Sequence, residues 1–328
     1  MTKLSVLRNL RLPVVASPMF IASGVDLVLA QCQAGIVGSF PALNARGPGE
    51  LDAWISRIET ALVAHDSVHP SAPAAPYAVN IILHHSNDRQ HADLETCVRR
   101  RVPIVITSVG DPKDVVRAVH GYGGVVLHDV INQRHARKAA AAGVDGLILV
   151  CAGAGGHGGN LSPFALVGEV RRWFDGLLLV AGAISTGEHV LAVRAMGADL
   201  AYVGTRFLAS PEASIEPAYK QAVLEAGTDG VIYSDLFSWV HANYLKQSIA
   251  DLGLDTDRLP TRDSYRETLA AQGEPRRKLW RDIWSAGQGV GCIDAIVPTR
   301  DIVASMRLEY EAARARLSGV AADAGISV

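Results

Sequence analysis

The chain has 328 residues, 49% apolar and 20% charged, enough to bury a large core in one big domain or two unequal ones. Its formal net charge is -2 and it carries no basic stripe, which argues against nucleic acid or an anionic membrane as a partner. Cys32, Cys97, Cys151 and Cys292 lie far apart with no C-x-x-C pair, which argues against a zinc ribbon or disulfide framework; with no apolar run near the ~20 residues of a membrane span and no signal-like stretch behind Met1, a soluble cytoplasmic protein is expected.

In chain order, short apolar runs recur at 14–19, 36–40, 77–82, 103–109, 124–130, 147–152, 177–182 and 200–204. Each is too short for a helix and mostly β-branched or apolar, as strands buried on both faces are. Helix-like stretches alternate with them. Residues 132–142 carry Arg134, His135, Arg137 and Lys138 beside a run of alanines, and residues 187–196 have an apolar face. Two junctions share one formula, Ala142-Gly143-Val144-Asp145-Gly146 and Met196-Gly197-Ala198-Asp199-Leu200, with a weaker instance around Gly35: helix end, glycine cap, next strand. Eight strands alternating with helices predict an α/β fold, a (β/α)8 TIM barrel in preference to an open doubly wound sheet.

Beyond Phe207 the pattern changes. Residues 211–282 show mainly helical periodicity, with 231–233 as their only strand-like piece, and predict a smaller helical substrate or cap subdomain. A second glycine-rich run covers 283–291, and a final amphipathic helix is expected over 299–317. The expected division is a barrel of residues 1–210 completed by 283–317, the insert 211–282, and a flexible tail at 318–328.

The run after the sixth strand holds Gly153, Gly155, Gly156, Gly158 and Gly159, with His157 among them. Its letters match the G-x-G-x-x-G dinucleotide fingerprint. The acid that should bind ribose, Asp175, precedes the next strand instead of closing it, and the unit is sixth in its series, so a dinucleotide loop is rejected. A different cofactor loop is expected. Glycines allow close backbone approach and leave N–H groups unobstructed. His157, flanked by glycines, has little packing to satisfy and is the candidate catalytic base; imidazole's ordinary pKa suits that work at neutral pH.

Other strand ends point to the same face. Gly182 and Ala183 follow the seventh strand and Val203, Gly204 and Thr205 close the eighth, the places where barrels commonly hold a phosphate. Pro18 and Met19 close the first strand and make a wall for a flat ring. Asn80 on the third strand, and His128 with Asp129 on the fifth, are polar groups in apolar strands that need partners. No cluster with metal-ligand spacing stands out, so no metal is expected, and no G-x-S-x-G marks a hydrolase.

Taken together, Ala16-Ser17-Pro18-Met19, Asn80, Ala154-Gly155-Gly156-His157-Gly158, Gly182-Ala183-Ile184, Gly197-Ala198-Asp199, the stretch from Val203 to Phe207 and Trp284-Ser285-Ala286-Gly287 resemble the nitronate monooxygenase family, formerly 2-nitropropane dioxygenase, over about residues 10–315. The resemblance implies an FMN-dependent barrel with a smaller helical substrate domain. By it, Gly182, Ala183, Gly204 and Thr205 hold the FMN phosphate, with Tyr202 and Val203 close by. Asn80, Gly155 and Gly156 touch the flavin, and Met19 backs the ring. His157 takes the proton next to the nitro group or orients the nitronate, and dioxygen is the oxidant, giving a carbonyl compound and nitrite. Where this chain has Gly182-Ala183-Ile184, many members read Gly-Gly-Ile. Some members carry a lysine where Asp129 falls, and a carboxylate there cannot stabilise a negative N1 or C2 carbonyl as lysine would. His241, Tyr244, Ser285 and Gly287 are candidate substrate residues.

A different flavin reaction on the same scaffold competes with this reading: NAD(P)H oxidation with reduction of a quinone or an enoyl thioester, as in the FMN-dependent enoyl-acyl-carrier-protein reductases that share the Gly-Gly-His-Gly run. A non-catalytic flavin binder is the third alternative, disfavoured by His157. Small-molecule substrate, dioxygen and a second copy in a homodimer are the partners considered.

Overall fold

The computed structural model describes residues 6, 7, 9–265 and 281–323. Eight parallel strands form one sheet: β1 (Val14–Ala16), β2 (Gly38–Pro41), β3 (Tyr77–Ile82), β4 (Ile104–Ser108), β5 (Val125–Val130), β6 (Gly146–Val150), β8 (Leu177–Ala181) and β9 (Leu200–Val203). The order around the sheet is β1-β9-β8-β6-β5-β4-β3-β2. A parallel bridge between Val15 and Val37 brings its two ends together, with Ala16 N–H donating to Val37 O at 2.8 Å, so the sheet is a TIM barrel. Each of the eight apolar runs is one of its strands.

Both faces of these strands are buried, for different reasons. Val15, Ala78, Ile104, Ile106, Leu127, Ile148 and Leu179 pack inside the barrel. Their neighbours in the chain, such as Val14, Val79, Val105, Val126, Leu147 and Leu178, pack outward against the helices. Burying each valine, leucine or isoleucine among them contributes roughly 1.5–3 kcal/mol.

The repeated junction has a physical cause in each half. Gly143 and Gly197 end their helices at φ 89 and 102, a conformation a side chain disfavours. The aspartate two residues on then reaches sideways. Asp145 Oδ2 accepts the N–H of Val126 at 2.8 Å, and Asp199 Oδ2 accepts that of Leu178 at 2.8 Å. Each carboxylate thereby satisfies a backbone donor near the start of the neighbouring strand.

Helices α1 (Val25–Ala34), α2 (Glu50–Val68), α3 (Gln90–Arg100), α4 (Lys113–His120), α5 (Gln133–Ala141), α6 (Pro163–Arg171) and α7 (Gly187–Ala195) follow their strands in turn. Asn132 and Thr186 cap α5 and α7 through their side chains. The helix that completes the ring is the C-terminal one, Thr299–Asp323, which packs against both α7 and α1. It runs past the expected end at Leu317, because Val320, Ala321 and Ala322 continue the helix. Among the described residues no helix is long and apolar enough to cross a membrane.

Between β9 and that last helix lies the inserted stretch. It holds α8 (Pro217–Glu225) and α9 (Lys246–Ala250), but it is not only helical. Strands β10 (Val231–Ser234) and β11 (Ala242–Leu245) pair antiparallel, and β11 pairs in turn with β7 (Gly156–His157) from the glycine run. The sequence signal for β11 is weak because Ala-Asn-Tyr-Leu is short and carries a polar residue at its centre. Residues 266–280 of the expected cap lie outside the described residues.

The first residue of α7 has no room for a side chain. A Cβ on Gly187 would sit 1.9 Å from Met306 O and 2.3 Å from Tyr310 N, while its N–H donates to Glu309 Oε2 at 2.7 Å. Gly187→Ala is expected to force the two helices apart and cost about 1–3 kcal/mol, read as a lower midpoint in urea unfolding with an unchanged slope.

Candidate active site

At the carboxyl ends of the strands the barrel opens into a cavity of about 1460 Å³. Ligand pockets commonly occupy about 300–1,000 Å³, so this one has room for more than one small ligand. Pro18, Met19, Asn80, Gly155, Gly156, His157, Gly182, Ala183, Tyr202, Gly204, Thr205, Ser285 and Gly287 all line it.

The glycine run is held by a neck and a crossing. Gly159 N–H donates to Val150 O at 3.0 Å and Ala152 N–H to Leu161 O at 2.9 Å, closing its base. The Gly153 carbonyl accepts N–H groups from Ala183 at 3.2 Å and Gln288 at 2.9 Å. That one oxygen ties together the loops after β6 and β8 and the second glycine-rich run. At the crossing, a Cβ on Gly155 would lie 2.8 Å from Gly287 N, and one on Gly287 would lie 2.5 Å from Gly153 O. These glycines therefore serve first to let two backbones touch. Gly156 is different: at φ 71 its missing Cβ would meet only Ser285 Oγ, at 3.7 Å, leaving open space towards the cavity.

His157 is a strand residue and not a loose loop residue. It pairs in register with Ala242, and Asn243 Nδ2 donates to Ala154 O at 2.7 Å beneath it. Its Nε2 lies 2.9 Å from Ser238 Oγ. Ser238 O–H donates to Val240 O at 2.7 Å, and Tyr244 O–H donates to Ser238 Oγ at 2.9 Å. Serine has one proton, and Val240 O takes it, so Nε2 must be the donor to Ser238. The neutral ring then carries its basic lone pair on Nδ1. The side chain faces the cavity and counts as exposed there, yet protein surrounds it closely enough that lost hydration pulls its pKa below the ordinary imidazole value.

The inner face of the barrel mouth is polar. Strand alternation carries Asn80, Ser108, Asp129 and Tyr202 inward in place of the apolar residues two positions earlier. Asn80 Nδ2 donates to Ser108 Oγ at 2.8 Å, and Ser108 donates to Asp129 Oδ2 at 2.6 Å. Asp129 Oδ1 and the Tyr202 hydroxyl are buried without a satisfied hydrogen bond, with Ser17 and Asp129 as the polar neighbours of the phenol. Burial pushes Asp129 up to about 7.

Several expected positions sit elsewhere. Val203 is fully buried in the layer between strands and helices, so only its backbone is near the site. His128 alternates outward: its Nδ1 is 2.8 Å from Thr107 Oγ1, and burial lowers it to about 4. It nevertheless lines the cavity, as does His135. His241 stacks on Tyr233 with centroids 4.9 Å apart and lines a separate cavity of about 340 Å³ with Asn160 and Leu161. Tyr244 is buried behind Ser238 and reaches the cavity through it. The Ala183 N–H expected for a phosphate is committed to Gly153 O, and the N–H of Gly187 at the start of α7 to Glu309. Thr205 Oγ1 accepts Gly287 N–H at 2.9 Å and keeps its own proton to donate. Ser108 and Ser238 carried no signal in the sequence, since isolated serines gain a role only from what the fold sets beside them.

His157 thus stands over a hydrogen-bonding floor of Asn80, Ser108, Asp129 and Tyr202, and no group of side chains suited to hold a metal ion is found among the described residues. The family model for nitronate monooxygenase matches residues 2–309, and the chain belongs to that family. It is 24% identical over 339 residues to a nitronate monooxygenase of Neurospora crassa, covering 90% of this chain and 88% of that one. A protein of Mycobacterium tuberculosis described as a putative monooxygenase is 27% identical over 252 residues, 73% of this chain and 67% of its own. Among solved structures, FabK from Thermotoga maritima superposes with a TM-score of 0.78 at 25% identity, covering 98% of this chain and 99% of that one.

The tautomer is directly checkable. In nitrogen-15 spectra at neutral pH, His157 of the wild type should show a protonated Nε2 and an unprotonated Nδ1. Ser238→Ala should give a mixture of the two tautomers; an unchanged Nε2–H signal would show that Ser238 does not set it.

Proposed function

We propose that the chain oxidises alkyl nitronates, and nitroalkanes after loss of their α-proton, using FMN and dioxygen, with a carbonyl compound and nitrite as products. The observation that carries this reading is His157, fixed at Nε2 by Ser238 and facing a cavity whose floor is hydrogen-bonding and whose wall is Pro18 and Met19. Family membership supports the substrate class.

The residues fit a flavin on the evidence of the floor itself. Asp129 Oδ1 and the Tyr202 hydroxyl are buried polar atoms in want of partners, and Asn80 lies beside them. A ring system with donors and acceptors along one edge would supply those partners. Met19 has its sulfur 3.5 Å from where a Cβ on Gly204 would stand, so glycine there keeps the wall flat. Gly204 and the Thr205 hydroxyl remain the candidates for the phosphate, with Gly182 beside them. When bound, FMN would accept electrons from the substrate and pass them to dioxygen.

The protein's share of the work falls on His157. Nδ1 takes the proton from the carbon next to the nitro group, or, with a nitronate already formed, the ring orients the anion. Ser238 stabilises the resulting imidazolium through its Oγ acceptor, with Tyr244 holding Ser238 in place. Because the ring's pKa is depressed, it is neutral at neutral pH, and base-dependent turnover of a nitroalkane falls only below the ordinary imidazole pKa.

A second reading, an NAD(P)H-dependent flavin reductase of quinones or enoyl thioesters, is favoured by the likeness to FabK and by a cavity larger than one ligand needs. Anaerobic stopped-flow separates the two. Flavin bleaching by propyl-2-nitronate, with none by NADH or NADPH, is expected; the opposite pattern assigns the reductase. In the same assay His157→Ala should keep FMN and lose about 10²–10⁴-fold in nitroalkane turnover. Loss of FMN from that variant would mark His157 as structural.

A further inference from the structure

The inner face of the barrel mouth carries one carboxyl group, that of Asp129, and its surroundings do not suit a charge. Oδ2 lies 2.6 Å from Ser108 Oγ, which also accepts from Asn80 Nδ2 at 2.8 Å, while Oδ1 is buried without a partner. An ionised carboxylate so placed would bury charge with half its acceptor sites empty, a cost escaped by keeping the proton. The forces on the group are burial, which raises its pKa, and the Ser108 hydroxyl, which lowers it; burial wins, at about 7.

The neighbouring titratable groups bring no positive charge to offset this. Tyr202 from β9 acts on Asp129 as a phenol held well above its ordinary pKa, hence neutral. His128, next to it on β5, turns outward to Thr107 and is lowered to about 4; Asp111 and His135 act on His128. His157, on β7, is also shifted towards its neutral form.

Proton bookkeeping decides what the pair can offer. With Asp129 ionised, the Ser108 proton is spent on Oδ2, and the carboxylate presents only lone pairs. With Asp129 protonated there is one more O–H than before. If the proton lies on Oδ2 it goes to Ser108 Oγ, and the serine's own hydrogen is released. If it lies on Oδ1, that oxygen becomes the donor. Either way the neutral pair gains a donor for a ligand to accept from.

We propose that Asp129 and Ser108 form a protonated pair that donates a hydrogen bond to a carbonyl or ring-nitrogen acceptor of the bound flavin, so that flavin binding takes up a proton. The inference rests on the flavin reading above and adds to it. It also replaces the expectation drawn from the sequence, in which Asp129 was an anion unable to support an electron-rich ring edge: a neutral carboxyl does so by donating.

The test is binding, not turnover. Apo-protein is titrated with riboflavin and with FMN from about pH 5.5 to about pH 9, following flavin fluorescence. Riboflavin lacks the phosphate whose own second ionisation lies near pH ~6. For the wild type, the riboflavin Kd is expected to rise towards about tenfold per pH unit above the carboxyl's pKa. Asp129→Asn retains an N–H donor that does not titrate, so it should bind as the wild type does at low pH and show a flat profile. Binding by the wild type with no pH dependence, or an Asp129→Asn protein that keeps the slope, overturns the proposal and leaves the flavin reading standing. Failure of both flavins to bind at every pH overturns both. Should Asp129→Asn not fold, calorimetry of the wild type in two buffers of different ionisation enthalpy decides: uptake approaching one proton per flavin supports the pair, and none overturns it.

Discussion

The site depends on one carbonyl. Gly153 O accepts from Ala183 and Gln288, and so binds the loop after β6 to the loop after β8 and to the second glycine-rich run. Backbone–backbone hydrogen bonds of this kind need the chains within contact distance, which is why Gly155 and Gly287 face one another with no space for a Cβ. Thr205 finishes the junction by accepting Gly287 N–H. The catalytic candidate two residues after Gly155 thereby inherits its position from the rigid barrel and not from its own loop.

The inserted stretch contributes the other half of that precision. By adding β11 alongside Gly156 and His157, it turns the end of a glycine run into a strand edge, and by bringing Ser238 to Nε2 it chooses which nitrogen holds the proton. Loops built mainly of glycine lose much conformational entropy on ordering. A cross-strand ladder and a hydroxyl anchored by Val240 and Tyr244 are the interactions that offset this. Barrel and insert are in this sense one device, with the backbone fixed from below and the imidazole from above.

Much of this was legible in the residues because it depends on local signals. Apolar runs of strand length, glycines at helix ends and the repeated aspartate before a strand favour the barrel over an open doubly wound sheet. What escaped is parity and partnership. In strands buried on both faces, hydrophobicity does not say which residues point inward, so Val203 read as a site residue although alternation turns its side chain out, while Ser108 went unnoticed though it turns in. β11 escaped because it is a short strand made stable by the partners on either side. His241 was a candidate substrate residue, but it precedes β11 and turns to Tyr233 and a separate cavity. The glycine run was read as a cofactor loop; Gly155 answers also to the backbone of residues 286 and 287, and Gly159 to that of Val150 and Ile131.

A common electrostatic trend runs through the inner face of the cavity: burial favours the uncharged forms of its ionisable groups. Asp129 is raised, His157 lowered and Tyr202 raised, each chiefly by loss of water. That matters for a site that receives an anion. In a medium of low effective dielectric, an ionised Asp129 would repel a nitronate and any negative charge developing on a ring beside it far more strongly than it would in water. A lysine at that position would attract both, but it would also hold them in the ground state. The neutral donor proposed for Asp129 would do neither. It would leave binding of the anion to shape and hydrogen bonds, and its donated hydrogen bond would strengthen as negative charge grows on the acceptor, which is where catalysis would gain from it.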